Sequence, residues 1–360
     1  MIQGHGGNIF ETAERLGCPP SEIIDMSSNV NPLGPMPELV EHLQKILSET
    51  MSVLPRVDAS DIVGLFARRY NLDPCCVLAA NGSTQLIYDI PRAFETKKAL
   101  ILGPTYADYA DACRMQGVLF DEFLAEEDDG FAPDLNRFED RLSDADTAFV
   151  CNPNNPTGAL IPARQLRDLC SAHPRVRFVV DESYLPFAPE GERQSMADCG
   201  LDNVVVLNSM SKIYRLPGLR IGFLIGQPEM IQKAVRYRLP WCVNGLAQAA
   251  VSYLMTHPRN TDAFVAKTRV FLDDERIQFV QALKEVPDIQ FYDSSTSFLL
   301  ARLSGRLTAE KVWDFLCRQR ILIRDCTNFS GLTKHFVRFS LKTHEINTIV
   351  TQKLALWMKS

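Results

Sequence analysis

The chain has 360 residues, 46% of them hydrophobic, and carries a formal net charge of −6. With a pI of about 5.6 it offers no basic field for nucleic acid or an anionic membrane surface, and its apolar content suffices for one large domain and a smaller one. The ten cysteines form no CxxC pair and no Cys/His spacing that would hold zinc, so free thiols in a cytoplasmic protein, and no metal, are expected. The opening MIQGHGGNIFETAERLG lacks the pattern of a secretory signal, and no apolar run approaches the length of a membrane span.

The GHGGN segment leads into a helix predicted over 9–16, and IIDMSSNVNPLGP reads as an irregular, ordered loop because Asn, Pro and Gly are dense there. Helical periodicity follows over 39–49 and 58–70. Strands and helices then alternate: strand 77–80, the turn Asn81-Gly82-Ser83-Thr84, helix 85–94, strand 99–102, and a helix opened by Gly103-Pro104-Thr105-Tyr106 that runs to 115. Strand 118–124, helix 135–142, strand 147–151, helix 162–172 and strand 177–180 continue the pattern, and strands 204–207 and 219–225 complete it. Such alternation predicts an α/β fold, a mostly parallel sheet with helices on both faces. Helices over 229–238 and 245–255 and a long one over 261–286 precede an α+β unit. Its strands are expected over 289–292, 297–303, 321–324 and 336–341, and its helices over 309–320 and 346–358. The division expected is a large α/β domain over 50–255 and a small α+β domain formed by 1–49 together with 256–360.

Two β-branched runs, Arg177-Phe178-Val179-Val180 and Asn203-Val204-Val205-Val206-Leu207, carry the chemistry. The first delivers Asp181, Glu182 and Tyr184; the second delivers Ser209, Ser211, Lys212 and Arg220. In an open α/β sheet, ligands bind at the C-terminal ends of the strands. A loop lysine taken alone is usually a solvated charge. Lys212 lies between serines and a Pro-Gly-Leu-Arg turn, after a rigid apolar strand, and a lysine amine held among such groups can form a Schiff base with a carbonyl. Pyridoxal 5′-phosphate (PLP) supplies a carbonyl and needs a carboxylate for its ring nitrogen, donors for its phosphate and a face for its ring. Asp181 meets the first need. Arg220, Ser209 and Ser211, with the backbone of Ser83 and Thr84 at a helix start, meet the second. Tyr106 could stack on the ring, and Asn155, in the NPNNPTG turn, could reach the 3′ oxygen or a substrate carboxylate, with Tyr184 near the same oxygen.

NPNNPTG, the segment Asp181-Glu182-Ser183-Tyr184 and SMSKIYRLPGLRIGF together resemble the fold type I PLP-dependent enzymes, the aspartate aminotransferase superfamily, over nearly the whole chain. The resemblance implies a cytoplasmic homodimer with active sites at the interface. It also implies Lys212 as the lysine that carries the cofactor, Asp181 on the pyridine nitrogen, Arg220 with Ser209 and Ser211 on the phosphate, and Arg338 of HFVRFSLK as the clamp for the substrate carboxylate. One departure stands out: relatives commonly carry a tyrosine where this chain has Leu54, before Pro55. Arg56 or a water is expected to replace its bond to the partner's cofactor phosphate.

Two subfamilies share these motifs. The GHGGNIFETAERLG opening, IIDMSSNVNPLGP, LPWCVNGLAQ and QRILIRDC are similar to the L-threonine-O-3-phosphate decarboxylases of cobalamin biosynthesis, whereas the core motifs alone also fit histidinol-phosphate aminotransferases. The first likeness implies that His5, Asn29 and Arg324 bind the substrate phosphate, with Arg338 and Asn155 on the carboxylate. CO2 is then the group set perpendicular to the cofactor ring, and Lys212 returns a proton to Cα to give (R)-1-aminopropan-2-ol O-phosphate. Transamination would use the same Lys212, so these residues leave the reaction open, as they do the choice between phosphothreonine and phosphoserine. Two readings of other classes are weaker. Ser209-Met210-Ser211-Lys212 fits the SxxK motif of serine hydrolases, but SDN and KTG partners are missing, and no appended domain supports a non-catalytic PLP-binding protein.

Overall fold

A computed structural model describes residues 6–359. Its centre is a seven-stranded sheet in the order Val77–Ala80, Gly222–Gly226, Val204–Ser209, Arg177–Asp181, Thr147–Cys151, Lys98–Gly103, Leu119–Leu124. Gly222–Gly226 runs antiparallel to both its neighbours, and the pairings from Val204–Ser209 outward to Leu119–Leu124 are parallel. The uninterrupted apolar runs follow from burial on both faces. Phe149, Val179, Val205 and Leu207 join the core on one side, while Val150, Phe178, Val180 and Val206 join the core on the other. Helices Gly82–Ala93, Asp108–Gln116 and Pro228–Val235 supply the first side; Ser60–Arg69, Ala163–Ala172 and Gly245–Thr256 supply the second.

A four-stranded antiparallel sheet, ordered Arg324–Asp325, Phe336–Ser340, Phe298–Leu303, Ile289–Phe291, forms the smaller unit. The 25-residue helix Pro258–Ala282 spans both sheets' surroundings, a length of about 37 Å. Arg269 Nε on it donates to the Pro186 carbonyl at 2.8 Å, and Arg276 Nη2, two turns further on, donates to the Thr296 carbonyl at 3.1 Å.

Four expectations need correction. The strand expected over 219–225 starts at Gly222, because Arg220 sits in the left-handed region with φ +56° and breaks the extended run. The strand expected over 321–324 is two: Ile321–Leu322 pairs in parallel with Ile24–Asp25, and Arg324–Asp325 pairs with Phe336–Ser340. Ile24–Asp25 was therefore part of a ladder rather than an irregular loop; the Ile24 and Met26 amides donate to the Arg320 and Leu322 carbonyls at 2.8 and 2.7 Å. Lastly, the helix expected from 85 begins at Gly82, so Ser83 and Thr84 lie in its first turn.

The strand Val204–Ser209 is anchored at its start by Asn203, whose Nδ2 lies 2.9, 3.0 and 2.9 Å from the carbonyls of Cys170, His173 and Val176. These include a C-terminal carbonyl of helix Ala163–Ala172, a group that helix geometry leaves unpaired. Asn203→Ala should destabilise the chain by about 1–3 kcal/mol, read as a lower denaturant midpoint at unchanged m value.

Candidate active site

The parallel register aligns the ends of three strands, pairing Cys151 with Asp181 and Asp181 with Leu207. The turn after Cys151 brings Asn155, the second strand ends on Asp181, and the third continues through Ser209 into the short helix Met210–Ile213 that holds Lys212. A cavity of about 80 Å³ at this edge is lined by Asp181, Ser209, Ser211, Lys212, Arg220 and the helix start at Ser83 and Thr84. Lys212, Tyr106, Asn155 and Tyr184 also line a second cavity of about 730 Å³. Lys212 thus stands where a small polar pocket meets a large one.

Asp181 is only 4% exposed. Its Oδ2 accepts from the Tyr109 hydroxyl at 2.8 Å and its Oδ1 from the Ser183 amide at 2.9 Å. Burial raises the Asp181 carboxyl above its ordinary value, against the pull of the Ser183 and Tyr109 hydrogen bonds and of Lys212 acting through space. A carboxylate in this state gains from a cation placed against it. Tyr109 was not among the expected residues; the spacing Tyr106-Ala-Asp-Tyr109 at a helix start was the available signal. Tyr109 is fully packed, stacked on Phe149 with centroids 5.4 Å apart, and burial drives its phenol far up.

The opposite end of the small cavity is shaped for an anion. Asn81 makes no side-chain capping bond to helix Gly82–Ala93, which leaves the first-turn N–H groups and the helix dipole available. The Ser211 hydroxyl is buried and has no hydrogen-bond partner. Arg220 lies over Gly82, where an added Cβ would come within 2.6 Å of Arg220 Nη2, and a Cβ at Gly222 would come within 2.4 Å of the Ser83 amide. Gly82 also holds φ +80°, a conformation side chains rarely adopt. Ser183 Oγ is a further buried hydroxyl without a partner. A buried carboxylate, a lysine and a phosphate cradle with orphaned donors together fit PLP.

The large cavity is cationic. Arg324 and Arg338 face each other across paired strands, and side chains directly opposite on a sheet share one face. Burial lowers both guanidiniums, Arg324 to about 10 with further repulsion from Arg338. Arg338, 4% exposed, has Nη1 bonded to Asn155 Oδ1 and Nη2 to the Ser27 carbonyl at 2.8 Å, while its Nε has no partner. Arg324 Nη2 donates to Asn328 Oδ1 at 2.6 Å. Asn29 lines the large cavity; its Nδ2 donates at 3.2 Å to the hydroxyl of Tyr184, which lines both, and its Oδ1 accepts from Ser340 Oγ at 2.6 Å. The expected residues Asn29, Asn155, Arg324 and Arg338 therefore converge on one cavity, whereas His5 lies outside the described residues. Arg56 is exposed and its Nε donates to Asp61 Oδ2 at 2.7 Å.

Asn31 is a further residue that the sequence gave no reason to single out. Its amide donates to the Lys212 carbonyl at 3.0 Å, and its Nδ2 reaches the Ile213 carbonyl and Thr268 Oγ1 at 2.7 and 2.8 Å. The N-terminal segment is thereby fastened to the lysine's own main chain.

Comparison with known proteins agrees with this geometry. The family described as aminotransferase class I and II matches residues 21–354. A threonine-phosphate decarboxylase of Salmonella typhimurium is 31% identical over 348 residues, covering 94% of this chain and 92% of its own. The crystal structure of L-threonine-O-3-phosphate decarboxylase from Porphyromonas gingivalis superposes with a TM-score of 0.84 at 30% identity, covering 94% of this chain and 100% of that one. A histidinol-phosphate aminotransferase from Sinorhizobium meliloti, solved in complex with pyridoxal-5′-phosphate, shares the fold with a TM-score of 0.87 at 18% identity, covering 100% of this chain and 95% of its own. With a lysine and a buried aspartate at the ends of a mostly parallel sheet, the chain belongs to the class I and II aminotransferase family of PLP-dependent enzymes.

Proposed function

We propose that this chain is a PLP-dependent carboxy-lyase that converts L-threonine O-3-phosphate to (R)-1-aminopropan-2-ol O-phosphate and CO2, as a cytoplasmic homodimer serving cobalamin biosynthesis. The observation that carries the reading is a pair of guanidiniums, the buried Arg338 and the half-buried Arg324, set opposite one another in a cavity that opens onto Lys212. A substrate bearing both a carboxylate and a phosphate supplies the negative charge that two such cations lack. The decarboxylases of Salmonella and Porphyromonas, at 31% and 30% identity, support the same choice.

Bound PLP supplies an electron sink for the carbanion left at the substrate Cα. Lys212 would hold it, with Asp181 facing its ring nitrogen, Tyr106 covering a ring face, and Arg220, Ser209, Ser211 and the amides of Ser83 and Thr84 holding its phosphate. Asn155 and Arg338, already bonded to each other, would orient the substrate carboxylate. Arg324 and Asn29, with His5, would hold the substrate phosphate at the far end of the cavity. Tyr184, which accepts from Asn29, links the two ends. Lys212 would return a proton to Cα after CO2 leaves. In this division 50–255 would carry the cofactor, while 1–49 and 256–360 would clamp the substrate.

The homodimer is supported by an exposed apolar patch. Met51, Val53, Leu54, Val57, Leu239 and Trp241 are between 46% and 77% exposed, and the Trp241 amide donates to the Val57 carbonyl at 3.0 Å, joining the two segments that carry it. A contiguous patch of this kind on a water-facing surface is characteristic of an interface. Among the described residues no helix is long and apolar enough to cross a membrane.

Phosphothreonine incubated with the loaded protein should release CO2 without any oxo acid; glutamate formed from histidinol phosphate and 2-oxoglutarate, with no CO2, would assign transamination instead. Asp181→Asn keeps the shape but removes the charge, and should lower turnover on the order of 10²–10³-fold. Gly82→Ala should weaken cofactor binding, because its Cβ displaces Arg220; titration of the protein with PLP, followed by absorbance, measures this. Sedimentation should give twice the 40.5 kDa chain mass, and charged residues at Leu54 and Trp241 together should shift it toward the single chain.

A further inference from the structure

The strand Phe336–Ser340 and the residues just after it present Arg338, Ser340 and Lys342 in steps of two, which places them on one face. All three bond the same turn, Ser27-Ser28-Asn29. Arg338 Nη2 donates to the Ser27 carbonyl at 2.8 Å, Lys342 Nζ to the Ser28 carbonyl at 3.1 Å, and Ser340 Oγ to Asn29 Oδ1 at 2.6 Å. Asp25 holds the turn from within: its Oδ1 accepts from the Ser27 amide, the Ser27 hydroxyl and the Ser28 amide at 2.8, 2.6 and 3.1 Å. The N-terminal strap rests on the same turn. The Gly7 amide donates to Ser27 Oγ at 2.7 Å, and a Cβ at Gly6 would lie 2.5 Å from the Ser27 carbonyl oxygen.

Lys342 is 7% exposed and lines the large cavity. Its main chain is locked, with the amide donating to Asn347 Oδ1 and the carbonyl accepting from Asn347 Nδ2, both at 2.8 Å. The charged groups that face it are Asp25, which favours the ammonium, and Arg215 and Arg338, which oppose it. Burial is the largest influence and brings the amine down to about 8. Neither the cofactor cradle nor the two substrate arginines account for a buried ammonium at this point.

We propose that Asp25 and Lys342 are positioning residues that clamp the Ser27-Ser28-Asn29 turn from its two sides and so fix Asn29 and the N-terminal strap against the phosphate end of the substrate. The inference rests on the phosphorylated-substrate reading given above. Lys342 acts through the turn, so loosening it costs substrate affinity more than chemistry. A charged donor binds a carbonyl more strongly than a neutral one, so the grip is full while Lys342 is protonated and weakens as pH rises through about 8. Arginine in its place would keep its charge throughout.

The test compares wild type, Lys342→Arg, Lys342→Met and Asp25→Asn as PLP-loaded proteins, at pH values on either side of 8. Lys342→Met should raise the KM for phosphothreonine by about tenfold or more while kcat stays within about threefold. The wild-type KM should climb above pH 8, and Lys342→Arg should remove that climb while restoring the KM at neutral pH. Hydrogen exchange without substrate gives a readout independent of turnover: the Ser27 and Ser28 amides should exchange about tenfold faster in Asp25→Asn and Lys342→Met. A KM within about twofold of wild type in Lys342→Met, the same alkaline climb in Lys342→Arg, or unchanged exchange at Ser27 and Ser28 would each overturn the clamp. Should Lys342→Met fail to fold, the Lys342→Arg profile and the Asp25→Asn exchange decide. A wild type that releases no CO2 from phosphothreonine sinks the proposed function, and exchange then still decides the clamp.

Discussion

Everything in the site depends on a carboxylate buried at the end of a parallel strand. Asp181 can lie there because the neighbouring strands are in register with it, so that the Ser183 amide and the Tyr109 hydroxyl arrive at its two oxygens. Tyr109 can arrive because helix Asp108–Gln116 lies on the sheet face that buries Phe149 and Val179. An ionised carboxylate in such surroundings is costly without a cation, and the nearest, Lys212, acts only through space. The sheet therefore buries a carboxylate that, among the described residues, has hydrogen-bond donors but no ion-pair partner.

The smaller sheet repeats this logic with the opposite sign. Arg324 and Arg338 lie side by side on paired strands, an arrangement that like charges disfavour. Packing makes it tolerable: Arg338 sits over the Phe298 ring at 5.1 Å and Arg324 over Phe329 at 5.0 Å, geometry in which a ring face partly replaces lost water. A lone acid among cations near one mouth of the cavity, Asp25, is occupied by the turn it organises. The two sheets thus present a negative floor and a positive wall, with Lys212 between them.

Much of this was legible because apolar runs and turn residues mark strand ends directly. Val77–Ala80, Leu135–Leu142 and Thr147–Cys151 begin and end where periodicity placed them, and strand ends are where Asp181, Asn155 and Lys212 had to be. The motif-bearing residues Asn29, Arg324 and Arg338 also converge on one cavity. What stayed hidden was set by tertiary contact. Ile24–Asp25 is a two-residue strand, too short for any period, and exists because Ile321–Leu322 offers it a ladder. Arg220 ends one strand expectation by adopting positive φ, with its side chain over Gly82. Tyr109 and Asn31 matter through partners 72 and 181 positions away in the chain, a distance no local pattern spans.

The bonds from Asn31 to Lys212 and Ile213 make the N-terminal segment and the lysine loop one mechanical body. Whatever orders one end of that body alters the equilibrium of the other, and free-energy coupling of this kind is symmetric. A change that settles the Ser27-Ser28-Asn29 turn is therefore felt at Lys212, and a change at Lys212 is felt at the turn, by the same free energy. The Ser27-Ser28-Asn29 turn and Lys212, far apart in sequence, are thus joined through Asn31.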